Sequence, residues 1–452
     1  MSERMDAVMK PFRENEDFVR ERINYGIELY RKGYNTIRFT DKEGNPVTNV
    51  KFSIKLKKHD YKFGCNIFML DEFENEDKNA EYRKLFGDTF NYATAPFYWR
   101  DLEPEKGKPR YDKFSQKVYR RPAPDLVLEY CEEKNIDVKA HCIVYDAFSP
   151  DWLPREVPLI KKEYDKHMAE LSARYSARID DWEIINETLN WEMYGYSRLK
   201  TSAFFQEADY ETWSYFAARR NFPINNLLIN AGPCEAFSDR LTRSHYYYQL
   251  ESLASKGVHY DGIGMQAHIF CDRKHEADFI SKYYNPVKMY DVFDAYEKFG
   301  SPIQISELTI PSYNGGVEDE EVQAEELKTL YSLWFAHRAT DSIVYWNLVD
   351  GYSYVPGGGK DTLGDLNAGE NIYGGGLIRF DMTPKPAFLM LRNLIKNEWY
   401  TELDLNTGDC DRAKFKGFFG IYDLTYIYNG REEHTEFHLD KRSDLEHIIV
   451  CD

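Results

Sequence analysis

The strongest constraint on the fold is a series of eight short apolar runs, separated by stretches with helical spacing. Strands that alternate with helices imply βα units and a parallel sheet. Eight such units over about 330 residues predict a (β/α)8 barrel enlarged by loops. The main rival, a doubly wound open sheet, is disfavoured because no GxGxxG marks a first βα turn. The runs are 63–68, 90–97, 138–145, 181–187, 226–231, 262–269, 302–310 and 343–349.

The two chain ends differ from the barrel region in the spacing of their apolar residues. Residues 14–33 carry apolar positions at helical spacing, and residues 35–60 alternate around the turn 43–46, which predicts a β-hairpin. Residues 417–439 alternate again around a turn at Asn429-Gly430. One accessory β-sandwich formed by both ends would explain both segments. The predicted divisions are 1–61 for an N-terminal helix and hairpin, 62–399 for the α/β barrel, and 400–452 for the remaining sandwich strands.

Composition limits the partners that this chain can have. Its 452 residues include 58 Lys and Arg against 76 Asp and Glu, and the net charge of −18 argues against nucleic acid and anionic membranes. No apolar run reaches 18 residues, so no transmembrane helix is predicted. The seven cysteines are odd in number and contain no CxxC pair, which favours reduced thiols. The N-terminus lacks a signal-peptide pattern, which favours a cytoplasmic location, although a secreted chain trimmed of its leader would look the same.

Two glutamates stand where apolar runs end. Glu187 closes WEIINE, and Glu307 follows IQIS. Active sites of (β/α)8 barrels lie at the carboxyl ends of the strands, and glycosidic bonds are commonly cleaved by two carboxylates on opposite sides of the bond. The pair therefore predicts a sugar-cleaving enzyme with an oligosaccharide substrate. No His, Cys and Asp cluster has the spacing of metal ligands, so neither a metal nor a cofactor is predicted.

Five stretches resemble, in order, the motifs of glycoside hydrolase family 10, the (β/α)8 endo-β-1,4-xylanases and their relatives. The resemblance spans roughly residues 62–395 and leaves both chain ends uncovered. Motifs that fall in register on five strands are far more specific than any one alone. The stretches are WEIINE (182–187), DGIGMQAHI (261–269), ISEL (305–308), YWNLVDGYS (345–353) and FDMTPKPAF (380–388).

The resemblance implies a mechanism and a set of site residues. It implies a retaining double displacement with Glu187 as the acid/base and Glu307 as the nucleophile. Glu187 must then be protonated and Glu307 ionised near neutral pH. The implied sugar-binding residues are Asn186 at the 2-hydroxyl, His268 orienting the nucleophile, and Gln266, His141 and Trp346 lining the cleavage subsite.

The sequence departs from the family at positions that bind sugar. Tyr98 stands where the family has a Lys, and no Glu-Asn pair precedes it. The family's Trp-His after the third strand is Tyr145-Asp146, and the ELD after the nucleophile ends in Thr309. Tyr354 replaces the Trp eight residues beyond Trp346. Because a hydrogen-bonding site rejects sugars that leave its polar groups unpaired, these changes predict an altered substrate.

The preferred prediction is an exo-acting enzyme, or one that cleaves short xylose-containing oligosaccharides, with Tyr98 and Tyr145 closing the cleft into a pocket. The alternatives are an ordinary endo-β-1,4-xylanase and a carbohydrate-binding pseudoenzyme without turnover. Two loops, 189–199 and 355–376, are expected to reshape the site, and the second is Gly-rich and predicted to be flexible.

Overall fold

The computed structural model describes residues 2–189, 202–231, 244–441 and 446–451. Most of the predicted loop 189–199 lies outside these ranges. The strands in the described ranges are β1 Lys32–Thr40, β2 Lys51–His59, β3 Lys62–Asn66, β4 Tyr92–Pro96, β5 Asp137–His141, β6 Asp181–Asn186, β7 Asn226–Ala231, β8 Gly262–His268, β9 Ile303–Thr309, β10 Thr340–Tyr345, β11 Glu402–Asn406, β12 Arg412–Phe418, β13 Gly420–Tyr428, β14 Arg431–Leu439 and β15 Glu446–Val450.

Helices alternate with the central strands and cover their outer face. None of the helices in the described ranges is both long and apolar enough to cross a membrane. The α-helices are α1 Glu3–Val8, α2 Lys10–Arg13, α3 Glu16–Tyr30, α4 Glu76–Gly87, α5 Trp99–Leu102, α6 Pro124–Glu133, α7 Val157–Tyr175, α8 Tyr210–Asn221, α9 His245–Ser255, α10 Glu276–Tyr283, α11 Pro286–Tyr296, α12 Val317–Ala336 and α13 Pro386–Asn393.

Strands β3 to β10 form a closed parallel barrel in chain order, with β10 paired to β3. Each strand coincides with one of the eight apolar runs, so the predicted (β/α)8 fold is confirmed. The runs are apolar because parallel strands in a barrel are covered on both faces. Strand β9 illustrates this, since all seven of its residues are buried.

The two chain ends form two further sheets, which confirms the predicted β-sandwich. One sheet has the order β12-β1-β15 and the other β11-β2-β13-β14. Rings pack between the two sheets: Phe39 of β1 lies 5.1 Å from Phe52 of β2 and 5.4 Å from Tyr426 of β13. The predicted turn at Asn429-Gly430 joins β13 to β14 as an antiparallel hairpin, with positive φ at both residues.

The predicted N-terminal hairpin is wrong. Strands β1 and β2 exist, but they lie in opposite sheets rather than side by side. A tight turn forms where predicted, since Asn45 N donates to the Asp41 side chain and Gly44 has φ +85°. The residues after this turn then carry the chain across the sandwich. Alternation shows that a strand has one buried face, but it does not show which strand it pairs with.

The sandwich joins the barrel at the amino ends of the strands, away from the loops that follow them. Asn91 Nδ2, just before β4, donates to His59 O at 3.0 Å and to Tyr61 O at 2.9 Å, which fixes the link between β2 and β3. Helix α3 packs on the barrel helix α12, where a Cβ on Gly26 would lie 2.3 Å from Ala336 O. The division at residues 61 and 399 stays a prediction.

Candidate active site

The strands that carry the two predicted catalytic glutamates each contain a β-bulge just before the glutamate. Strand β6 has one extra residue at Ile184 against β7, and β9 has one at Ser306 against β8. Such bulges re-aim side chains and are frequent beside active sites. Glu187 follows β6 with φ +52°, and its N–H donates to Asn230 O at 3.0 Å. Glu307 is buried at the carboxyl end of β9.

One side-chain amide joins the two carboxylates. Gln266 Nε2 donates to Glu187 Oε1 and to Glu307 Oε1, each at 3.0 Å. Two oxygens at 3.0 Å from one nitrogen lie at most twice that distance apart, or about 6 Å. If they lie along the two N–H bonds of the amide, the separation is about 5.2 Å. Retaining glycosidases place these groups about 5–5.5 Å apart and inverting ones about 6.5–9.5 Å, so the upper bound of about 6 Å places this pair of oxygens below the inverting range.

Asn230, near the end of β7, is a site residue that the sequence analysis missed. Its Nδ2 donates to Asn186 Oδ1 at 2.9 Å and to Glu307 Oε1 at 2.8 Å. Its Oδ1 accepts from Ser306 Oγ at 2.6 Å. The side chain is 1% exposed. An amide inside the apolar run NLLINA was the signal that could have identified it, because buried polar groups need partners.

His268 links Glu307 to the position where the family pattern breaks. Its Nε2 lies 3.2 Å from Glu307 Oε2, and its Nδ1 lies 3.0 Å from Thr309 Oγ1. Burial lowers the pKa of His268 to about 4, against the opposing charges of Glu370 and Glu187. The neutral ring then accepts the Thr309 O–H at Nδ1 and donates its Nε2–H to the carboxylate. Thr309 can thus fix the tautomer of His268.

The two carboxylates share one confined site, and this affects their protonation. Burial raises the pKa of Glu307 to about 8; His141 opposes the rise and the neighbouring Glu187 adds to it. Close carboxylates that share a site lose their protons in two steps that belong to the pair. This pKa assigns the proton to Glu307 near neutral pH, whereas the predicted roles need it on Glu187, so the proton must pass from Glu307 before the nucleophile can attack.

His141 belongs to a buried polar chain below the site. Its Nδ1 donates to Glu183 Oε1 at 2.7 Å, and its Nε2 lies 2.9 Å from Tyr98 OH. Lys139 Nζ lies 3.4 Å from Glu183 Oε2. Burial alone would raise the pKa of Glu183, but His141 and Lys139 together lower it. Sequence analysis did not identify Glu183 or Lys139; both are charged residues within apolar runs, and that was their signal.

One set of three potential metal ligands occurs among the described residues: His141, Cys142 and Glu183. Both ring nitrogens of His141 already have partners. Burial raises the pKa of the Cys142 thiol well above its usual range, so the thiolate that binds metal is disfavoured. This donor set is better described as a hydrogen-bonded group than as a metal site.

Aromatic rings form one wall of the site. Trp346 lies 5.2 Å from Phe68, 5.4 Å from His141 and 6.2 Å from His268. Tyr98 is 6% exposed and stacks on Phe148 at 4.2 Å. These contacts place Tyr98 and Trp346 against residues of the predicted site.

Tyr145 and Tyr354 differ in their relation to the site. Tyr145 is half-buried, and its hydroxyl donates to Glu187 Oε2 at 2.5 Å. Tyr354 is 37% exposed and directly precedes the Gly-rich loop, and its carbonyl accepts from Glu370 N at 2.9 Å. Tyr145 thus reaches a predicted catalytic carboxylate directly, whereas Tyr354 contributes a backbone contact.

The second glycine triplet of the loop 355–376 packs tightly, although the sequence predicted a flexible loop. A Cβ on Gly375 would lie 2.4 Å from Thr309 Cγ2, and one on Gly376 would lie 2.4 Å from Asp350 N. Tyr373 stacks on Phe270 at 4.8 Å. The glycines therefore let the loop lie directly on the end of β9.

A cavity of about 210 Å³ opens beside Glu187 and is lined partly by Tyr145, Asn186, Glu207 and Glu211. A larger cavity, of about 710 Å³, lies between the sandwich and the barrel and contains none of the predicted site residues. The smaller cavity contains Glu187 but not Glu307, so it marks the acid/base side of the candidate site rather than the whole of it.

The comparison with known families gives a clear result. The profile described as "Glycosyl hydrolase family 10" matches residues 55–373, well over half of the chain. The chain belongs to glycosyl hydrolase family 10. The match includes all eight barrel strands and the Gly-rich loop as far as Tyr373, and it confirms the resemblance seen in the motifs. This is a family of retaining O-glycosidases.

Two curated relatives match most of this chain at low identity. The anti-sigma-I factor RsgI6 of Acetivibrio thermocellus is 24% identical over 426 residues, 91% of this chain and 47% of that protein. Endo-1,4-beta-xylanase 2 of Arabidopsis thaliana is 22% identical over 431 residues, 94% of this chain and 35% of that protein. The chain thus spans less than half the length of either relative.

Among solved structures, xylanase 10B from Thermotoga petrophila RKU-1 in complex with xylobiose is similar in fold. The TM-score is 0.57 at 19% sequence identity, and the match covers 75% of this chain and 95% of that chain. The quarter of this chain outside the match is consistent with a barrel carrying additional terminal strands.

Proposed function

We propose that this chain is a retaining β-glycosidase. The observation that carries the proposal is the amide of Gln266, which bonds to both Glu187 and Glu307 at 3.0 Å. Their spacing suits a covalent glycosyl-enzyme intermediate, because no water needs to fit between the nucleophile and the anomeric carbon.

Each glutamate has a distinct role in the proposed reaction. Glu307, held by Asn230 Nδ2, Gln266 Nε2 and His268, attacks the anomeric carbon. Glu187 gives its proton to the leaving oxygen and later removes a proton from the attacking water. Asn186 Oδ1 is fixed by Asn230, which leaves its amide N–H group to bind the sugar 2-hydroxyl.

We infer further that the enzyme acts on chain ends or on short oligosaccharides. Tyr98 is nearly fully buried, bonds to His141 and stacks on Phe148, and the Arg121 guanidinium lies 4.4 Å from the Tyr98 ring centre. Tyr145 bonds to Glu187. Rings fixed in this way leave room for few sugar units, so binding energy concentrates on one or two of them.

The catalytic roles are tested by chemical rescue. Glu187→Ala should retain cleavage of dinitrophenyl β-glycosides, whose leaving group needs no proton, and azide should then restore turnover with a β-glycosyl azide product. Glu307→Ala should fail with every leaving group. Glu402→Gln, a change on an exposed sandwich strand, is the control. Equal losses in both site variants across all leaving groups would contradict the assignment.

The mode of action is tested on polymeric xylan and on xylo-oligosaccharides. We expect single sugars or very short units as products, with little fall in viscosity. A rapid fall in viscosity with a ladder of products would establish an ordinary endo-β-1,4-xylanase instead.

A non-catalytic sugar-binding role is the second candidate. It is favoured by one observation: a relative that matches 91% of this chain is named as an anti-sigma factor rather than as a hydrolase. Turnover of any aryl β-glycoside by the wild type, lost in Glu307→Ala, would exclude it. A cytoplasmic location stays a prediction.

A further inference from the structure

Glu370 lies beside the proposed active site and has no role in the mechanism above. It belongs to the short 3-10 turn Gly369–Tyr373 in the Gly-rich loop. Its Oε2 accepts from Asn347 Nδ2 at 2.8 Å. Asn347 directly follows Trp346, so this bond brings the carboxylate to the aromatic wall of the site. Sequence analysis missed Glu370 because the path of a glycine-rich loop is set by tertiary packing.

The loop is built so that Glu370 turns inward. Gly369 has φ +52°, and a Cβ there would lie 2.4 Å from Tyr354 O. At the other end of the turn, Tyr373 stacks on Phe270, which in turn stacks on His268 at 4.4 Å. The turn is therefore fixed to the ring that contacts the proposed nucleophile.

A buried cation holds Glu370 through one amide. Arg120 is 6% exposed, and its Nη2 donates to Asn347 Oδ1 at 2.8 Å while its Nη1 donates to Tyr352 O. Asn347 thus accepts from the guanidinium on one side and donates to the carboxylate on the other. Such a bridged arrangement gives both terminal nitrogens of a buried cation a partner and fixes the orientation of the carboxylate.

Only one oxygen of Glu370 is used by this network. Oε2 accepts from Asn347 Nδ2, and no side-chain donor to Oε1 is found in the described ranges, although a backbone hydrogen bond from Tyr354 also acts on the carboxyl. Oε1 is not one of the buried side-chain atoms in the described ranges that lack a hydrogen-bond partner. Burial nevertheless raises the pKa of Glu370, against the opposing effects of His268, Arg120 and Asn347. The residue itself is half-buried, as expected of a side chain at the edge of a cleft.

We propose that Glu370 binds the reacting sugar: Oε1 accepts a hydrogen bond from a hydroxyl of the ring that lies between Glu307 and Trp346. This inference rests on the proposed function and adds a specificity-determining residue to it. The site has lost polar contacts at Tyr98 and Tyr145, and Glu370 supplies an acceptor from a different loop. A charged acceptor selects a sugar that has a free hydroxyl at this position over one whose hydroxyl is absent or substituted.

The test combines variants with aryl β-glycosides that each lack one ring hydroxyl. With the wild type, one deoxy substrate should have kcat/KM about ten- to a hundred-fold below its parent, as for a hydrogen bond to a charged group. In Glu370→Gln and Glu370→Ala, the kcat/KM of that same deoxy substrate should fall much less below that of its parent. The other deoxy substrates should keep the ratios of kcat/KM that they have with the wild type. Asp365→Asn, an exposed change in the same loop, should leave every ratio unchanged.

Glu370→Gln keeps the shape of the side chain, so it carries the test if Glu370→Ala does not fold. The same series can be measured as binding, by calorimetry with Glu307→Gln, whether or not the wild type turns over any glycoside. Identical deoxy ratios in the wild type and in Glu370→Gln, in both binding and kinetics, would overturn the proposal and leave Glu370 as a structural partner of Arg120. If the wild type turns over no glycoside, but its binding still shows the loss for one deoxy substrate that Glu370→Gln reduces, only the hydrolytic function is overturned.

Discussion

At the scale of single residues, the site depends on amides and one neutral histidine that hold two carboxylates close together. Gln266 and Asn230 each donate to Glu307, and both also hold a second site residue. Hydrogen bonds to a carboxylate favour its charged form, whereas burial and a neighbouring negative charge disfavour it. The balance between these effects can be measured through the pH dependence of the reaction.

The proton shared by the two glutamates predicts a specific pH profile. In the wild type, kcat/KM should fall above about pH 8, where the pair loses its last proton. In Glu187→Gln, cleavage of a dinitrophenyl glycoside should rise with pH as Glu307 ionises, and its midpoint should lie below 8. The sign follows because removing the negative charge of Glu187 makes ionisation of Glu307 easier. A midpoint at or above 8 would contradict this account.

Thr309 offers a second test at this scale. Thr309→Val removes the O–H that donates to His268 Nδ1, and with it the bond that holds the ring in one tautomer. We expect kcat to fall about ten-fold with little change in KM. Thr309→Ser keeps the hydroxyl and is the matched control. The 15N chemical shifts of the imidazole report the tautomer directly, and an unchanged spectrum in Thr309→Val would rule out this role.

At the scale of elements, the second glycine triplet of the loop after β10 lies tightly against the end of β9. Gly375 tests this packing. Gly375→Ala places a Cβ 2.4 Å from Thr309 Cγ2, so we expect a loss of about 1–3 kcal/mol in unfolding free energy and a lower kcat. Gly359→Ala, in the same loop, meets nothing within 4 Å and is the control. Equal free energies of unfolding for the two variants in urea would show that the loop can rearrange around the added methyl group without cost.

Helix α1 is fixed to the barrel by a buried ion pair. Arg4 donates to Glu276 at 2.6 and 2.7 Å and to Asp319 at 3.1 Å, with all three side chains at most 8% exposed. Arg4→Met should cost about 3–5 kcal/mol at pH 7, because it takes the hydrogen-bonded cation away from the buried Glu276, whereas Asp319 keeps its bond to Arg273. Burial raises the pKa of Glu276 and Arg4 opposes the rise, so the variant should lose less at pH 5, where the carboxylate can take up a proton.

The matched control for that helix is Arg13→Met, which breaks an exposed pair with Asp6. Their side chains are 42% and 55% exposed, so the change should cost less than about 1 kcal/mol. Chemical denaturation at both pH values measures the two variants. A penalty for Arg4→Met that is equal at pH 5 and pH 7 would count against a charge effect.

The sequence predicted the barrel well because each barrel strand is buried on both faces and reads as one apolar run. It predicted Glu187, Glu307 and Gln266 because each lies inside such a run or at its end. It missed Asn230 and Glu183, whose importance depends on neighbours from other strands. It also misplaced the partner of β1, since pairing between residues nearly 400 positions apart leaves no local pattern.

At the scale of the whole molecule, the sandwich makes the two chain ends depend on each other. Removing residues 400–452 would take away the partners of β1 and β2 and expose Ile37, Phe39 and Ile54, each now fully buried. We expect the 1–399 variant to aggregate when produced alone and to be soluble when 400–452 is supplied as a separate chain. A monomeric 1–399 variant with the thermal midpoint of the full chain would show that the barrel is independent of the sandwich.

Because β1 pairs with β12 and β15, it cannot complete its sheet until the end of the chain has been synthesised. Arg38 lies opposite Arg412, so 374 residues (412 minus 38) separate it from the first partner residue of β1 to be made. At about 5–20 residues per second, a ribosome needs roughly 20–80 s for that length. Throughout this interval both edges of β1 are bare, and bare edges recruit other chains. The time needed to synthesise β12 and β15 therefore sets how long β1 remains exposed to aggregation.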